Sequence, residues 1–149
     1  MPFQFRLEKV LSYKEREQDV SKEHYNDAVN HVESVGRSLY NVLKEKEQVT
    51  LQIEQETKEG VSVRTIQQKQ RYLQTLEQQV TQLNDQFLEA KKTMQEKQDV
   101  LLQSTQEVKQ FEKLKEKKYE LYKEEVKSEE IKHLDEITLL KMGGRQQYG

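Results

Sequence analysis

Gly60-Val61-Ser62 is the strongest turn signal between the opening residues and the final seven. Glycine can take the left-handed conformation that closes a helix, and serine at residue 62 can cap the helix that follows. Long polar segments with helical periodicity and no proline lie on either side of it. The sequence therefore predicts an all-α fold: a long antiparallel two-helix coiled-coil hairpin whose second helix overhangs the first. Its parts are helix one over about 4–58, a turn at 59–62, helix two over about 63–142 and a short disordered tail at 143–149, all in a single domain.

Heptad periodicity supports this on both sides of the turn. Before it, Leu7, Lys14, Ser21, Ala28, Val35, Val42 and Val49 occupy d positions. Leu11, Gln18, Tyr25, Val32, Leu39, Lys46 and Ile53 occupy a positions. A stripe sustained this long is the signature of a coiled coil. Gly36 falls inside helix one, where glycine costs about 1 kcal/mol relative to alanine; the sequence is compatible with a tolerated surface glycine or a slight bend. After the turn the a positions are Ile66, Leu73, Val80, Phe87, Met94, Leu101 and Val108, all apolar. Their d companions are Lys69, Leu76, Leu83, Ala90, Lys97, Ser104 and Phe111. Beyond Phe111 the pattern weakens: Lys115 and Lys118 take seam positions, and only Tyr122 returns to the stripe. Gly143-Gly144 is the expected stop.

An antiparallel pair folded about Val61 brings Val49 against Leu73, Val42 against Val80, Val35 against Phe87, Val32 against Ala90 and Leu11 against Phe111. Large side chains meet small ones, as close packing requires. Gln18 and Ser104 share one polar layer, a device that fixes register. In this register helix two loses its partner after about residue 118. Lys46 lies opposite Leu76 and Lys69 opposite Ile53, so the top of the seam is expected to be only partly sealed.

Composition narrows the function. Charged residues make up 35% of the 149 and hydrophobic ones 33%, between plain disorder and a thick globular core. Cysteine is absent, so disulfides and thiolate sites are excluded. No apolar run approaches the roughly 20 residues that span a bilayer, and the opening residues lack the h-region of a signal peptide. A net charge of −2 argues against nucleic acid. No phosphate loop, nucleophile motif or HExxH sequence occurs. His24 and His31 are one heptad apart, about 10.5 Å along a helix, too far to share a metal. A two-helix hairpin has no concave, water-excluding site, so neither catalysis nor a small-molecule substrate is expected, and no cofactor.

Charge is uneven near the end of helix two. Residues 109–123 hold the lysines at 109, 113, 115, 117, 118 and 123 with three glutamates, whereas residues 124–142 hold six acids and three lysines. Arg6 and Lys9 fold beside Lys109 and Lys113 and extend this basic collar. The alternative for these charges is an ordinary solvated helix face.

Phe5-Arg6-Leu7-Glu8-Lys9-Val10-Leu11, the glycine turn near 60, Tyr72-Leu73-Gln74-Thr75-Leu76, and Val108 followed by Phe111-Glu112-Lys113-Leu114-Lys115-Glu116-Lys117 stand in an order and spacing that resembles the flagellar export protein family FliJ. The resemblance covers nearly the whole chain. It implies an antiparallel coiled coil similar to the central stalk of rotary ATPases. Such a protein binds within the hexameric export ATPase ring, promotes its assembly and activity, links it to the export gate protein of the inner membrane and handles export chaperones. It also implies a cytoplasmic protein peripherally associated with the membrane apparatus, monomeric when free. The rival readings are a structural scaffold built as a parallel dimer, and the stalk protein of a virulence-type secretion system.

Two sites follow as expectations. Ring binding falls to the overhang and collar: Phe5, Arg6, Lys9, Lys109, Lys113, Lys115, Lys117, Lys118, Leu121 and Tyr122. Gate binding falls to a stripe on helix two: Tyr72, Leu76, Gln79 and Leu83. There Gln79 and Leu83 depart from the small residue and histidine that the family carries.

Overall fold

The computed structural model describes residues 2–148, with the side chains of 144–148 left aside. It contains two helices, α1 over Glu8–Glu59 and α2 over Val63–Tyr148, and no strand among the described residues. α1 carries Glu8 in its first turn and Lys58 in its last, each of the sign that the helix dipole favours. Gly60 closes it with φ 74°, and the Val61 amide reaches back to the Glu56 carbonyl at 3.1 Å. That is the longer hydrogen bond of a Schellman cap. The Ile66 amide then donates to the Ser62 carbonyl at 3.2 Å, which makes Ser62 the residue that opens α2. The helices are thus joined by the turn that the sequence announces, and they pack as a hairpin.

The chain resolves into two compact units, Met1–Glu17 with Ser104–Gly149, and Gln18–Gln103. In the second unit every expected seam position of α1, from Gln18 to Ile53, is buried or half-buried. The same holds on α2 from Ile66 to Leu101. Ala28, Val35, Val49, Leu76 and Ala90 form its core. Gly36 is not a surface residue: it is half-buried, and a Cβ there would meet Phe87 Cε2 at 3.2 Å. The expected partner of Phe87 was Val35, so the register centred on Val61 holds to within one residue. Lys69 sends its ammonium to the Glu56 carboxylate on the facing helix.

Leu76 corrects the sequence reading. It was expected to be half-open opposite Lys46, yet it is 2% exposed, the most enclosed large side chain described. A coiled-coil knob sits in a hole formed by four residues of the facing helix, so the residue directly opposite need not cover it alone. Lys46 is itself half-buried, and the Tyr72 hydroxyl donates to the Glu45 carboxylate across the seam one turn earlier.

The first unit is centred on Leu11 and Val108, each 3% exposed. Lys14 pairs with Glu107 at 3.1 Å and Lys115 with Glu8 at 2.8 Å. Two boundaries differ from expectation. α1 begins at Glu8, not at residue 4, and residues 2–5 carry no regular structure. At the other end α2 runs through Gly143 and Gly144 to Tyr148. Two glycines weaken a helix without removing an amide donor, as proline would. Met1 and Gly149 lie outside the described residues.

Candidate functional site

The site assembles in the first unit, where the opening segment meets α2. Leu7 opens α1: the Leu11 amide donates to its carbonyl at 2.9 Å, and the Glu8 amide donates to the Phe5 carbonyl at 3.1 Å. Residues 2–5 before that turn carry no regular structure. The expectation that α2 loses its partner after about residue 118 is corrected: Phe3 meets Tyr119 edge-on, with ring centroids 5.2 Å apart, and tilts against Tyr122 at 5.5 Å. Lys123 places its ammonium 4.7 Å from the Tyr119 ring centre.

Around this junction the expected ring-binding residues gather at open clefts. One, of about 580 Å³, is bordered by Phe5, Arg6, Lys118, Leu121 and Tyr122, together with Phe3, Leu114 and Glu125. A second is bordered by Phe5, Arg6, Lys9 and Lys115. A third is bordered by Lys113, Lys117 and Leu121, with Glu116, Glu120 and Glu124 beside them. Of the expected set, only Lys109 borders none of these three; it lies exposed on α2. Lys115, expected in the seam, is half-buried there and engaged by Glu8, whereas Lys118 is exposed. The first two clefts combine aromatic or aliphatic side chains with Arg6, Lys9, Lys115 and Lys118, suited to a protein surface that carries carboxylates beside apolar groups, whereas the third sets two lysines among three glutamates.

Past Glu125 the apolar residues Ile131, Leu134, Leu139, Leu140 and Met142 are all exposed. No helix among the described residues is long and apolar enough to cross a membrane.

The second expected site lies in the other unit and is reduced by its packing. Tyr72 and Gln79 are exposed, Leu83 is half-buried, and Leu76 belongs to the core. Tyr72 is itself engaged: its hydrogen bond to Glu45, more than its modest desolvation, raises its pKa above the ordinary tyrosine value. In the first unit, the hydrogen bond from Lys14 to Glu107 raises the lysine pKa in the same way.

Phe3 stands outside the heptad pattern and carries no role among the expected sites. The signal was present: the register centred on Val61 sets residue 3 opposite residue 119, and Tyr119 and Tyr122 are one helical turn apart. Treating the helices as ending at residue 4 hid it.

A family model described as flagellar FliJ protein matches residues 3–147 of the chain. The flagellar FliJ protein of Bacillus subtilis (strain 168) is 32% identical over 139 residues, covering 93% of this chain and 95% of that one. Among solved structures, the YscO homolog CT670 of Chlamydia trachomatis is similar with a TM-score of 0.66, 20% identity and coverage of 99% of this chain and 100% of that one. At that identity the likeness shows a shared fold.

Proposed function

The chain belongs to the flagellar FliJ protein family, and from that premise we propose that it is the stalk component of a flagellar type III export machine, acting by binding and not by catalysis. The first unit binds the hexameric export ATPase and promotes its assembly and activity. Tyr72 and Gln79 of the second unit contribute to contact with the membrane export gate, and the same protein handles export chaperones. The observation that carries the ring-binding reading is the convergence of Phe5, Arg6, Lys9, Lys113, Lys115, Lys117, Lys118, Leu121 and Tyr122 on adjoining clefts of one unit. Within each unit α1 packs on α2 of its own chain, which is the arrangement of a hairpin and not of a parallel scaffold dimer.

Titration of the purified chain into the export ATPase of the same organism tests this directly. A saturable complex and a rise in ATP turnover are expected. A chain that neither binds the ATPase nor changes its turnover overturns the proposal.

A further inference from the structure

The packing of the first unit changes abruptly along α2. At Leu11 and Val108 the two helices are closely packed, and the Glu8–Lys115 pair marks the last layer in which both sides of the seam are helical. One turn further on, residues 2–7 leave open space on both sides. The cleft between them and α2 measures about 580 Å³, and the cleft lined by Phe3, Gln4, Phe5, Arg6, Glu8, Lys9 and Lys115 about 670 Å³. Beyond the Phe5–Glu8 turn, the segment is anchored at its far end by the Phe3 ring on Tyr119 and Tyr122. That anchor is itself at the surface, since Tyr119 is 41% exposed. A segment with a turn at one end, an exposed aromatic contact at the other and poor packing between them has the makings of a locally opening element.

We propose that residues 2–4 form a strap that closes over the half-buried Leu114 and Tyr122 in the free protein and swings away, pivoting at the Phe5–Glu8 turn so that Phe5 and Arg6 keep their places, to admit the export ATPase. This rests on the ring-binding reading above and adds a regulation to it. The strap gives Phe3 a role opposite in sign to that of a binding residue. While the strap is closed, the binding-competent fraction is small and the apparent affinity is reduced by that fraction. Removing the Phe3 anchor therefore tightens binding, whereas loss of an ordinary contact weakens it.

Three experiments test the strap. Phe3→Ala is expected to bind the export ATPase several-fold more tightly than the wild type, up to about tenfold if the open form is about a tenth of the population. The second carries Phe3→Cys and Tyr119→Cys joined by a short cleavable bis-maleimide bridge. It is expected to bind much more than tenfold more weakly than the same protein after the bridge is cut, because the bridge holds the open fraction near zero. Because the natural chain has no cysteine, both attachment points are unique. The third readout needs no partner: a thiol reagent should label Leu114→Cys several-fold faster when Phe3→Ala is also present, while Ser62→Cys in the other unit labels at an unchanged rate. Equal or weaker binding by a well-folded Phe3→Ala protein, or equal binding with the bridge closed and cut, overturns the strap and leaves the ring reading standing. Failure of the wild type to bind overturns the ring reading and the strap's regulation of it, and the labelling rates then still decide whether the segment opens at all.

Discussion

Gly36 on α1 is the seat for the ring of Phe87 on α2: a Cβ at residue 36 would stand 3.2 Å from Phe87 Cε2. The ring also lies under the Lys91 ammonium, 5.5 Å from its centre. Two effects oppose each other when Gly36 becomes alanine. Helix propensity favours alanine by about 1 kcal/mol, while the added methyl group forces the ring to give by a few tenths of an ångström. In the wild-type background these nearly cancel. With Phe87→Leu the steric term falls away, and Gly36→Ala is expected to stabilise the hairpin by about 1 kcal/mol. Urea denaturation of the four proteins of this cycle measures the difference. Additivity within a few tenths of a kcal/mol shows that the ring does not limit residue 36.

Leu76 is part of the core, so Leu76→Ala is expected to cost about 2–5 kcal/mol in urea or thermal denaturation. Leu83→Ala should cost less, because Leu83 is only half-buried. Tyr72→Ala and Gln79→Ala, at exposed positions, should leave the melting curve close to that of the wild type. Weak gate binding by a Leu76→Ala protein is therefore uninformative unless helicity is preserved. The clean test of the proposed gate contact is Tyr72→Ala with Gln79→Ala: gate binding is expected to fall while stimulation of the export ATPase survives.

Lys14 and Tyr72 set a direction for the response to alkali. Glu107 raises the pKa of Lys14 above 10.5, and Glu45 raises that of Tyr72 above 10.0. Each group favours its protonated form in the fold. Its contribution is complete below the ordinary value and is lost as pH rises through the raised one. Thermal melts between about pH 9 and pH 12 should show the wild type losing more stability than the Lys14→Gln, Tyr72→Phe double variant. Equal losses would mean that neither hydrogen bond persists in solution.

The turn, the two helices and the seam were legible because each rests on local or periodic signals. Gly60 and Ser62 act through their own backbone, and a stripe from Leu11 to Ile53 has one face to bury. What failed depended on geometry between layers. Opposing Lys46 to Leu76 predicted an open layer, because a facing-pair scheme ignores the four-sided hole around each knob. The opening segment was misread because Phe3 and Phe5 follow no heptad; residues 2–5 are not helical, yet Phe3 still meets Tyr119, the residue that the register sets opposite it, and Tyr122 one turn on. The residues proposed to bind the ATPase were legible as a charge pattern. Their convergence on clefts was not, because it depends on where that non-helical segment runs.

Lys113 and Lys117 provide the sharpest electrostatic test of ring binding, because both are exposed and border the same cleft. Neither lies in the seam, so Lys113→Glu with Lys117→Glu should keep the hairpin's helicity and melting behaviour. Binding to the export ATPase is expected to weaken, and the loss should be larger at low ionic strength than at high. Exposed charges are screened over about 10 Å at 0.1 M salt and about 3 Å at 1 M, so the wild type and the variant should converge as salt is added. The neighbouring Glu116, Glu120 and Glu124 supply an internal control. Changing Glu120 and Glu124 to glutamine removes repulsion toward an acidic partner and should tighten binding, again most at low salt. If the lysine variant binds as the wild type does at every salt concentration, the cations at this cleft are solvated helix charges, and the ATPase contact must be sought around Leu121 and Tyr122.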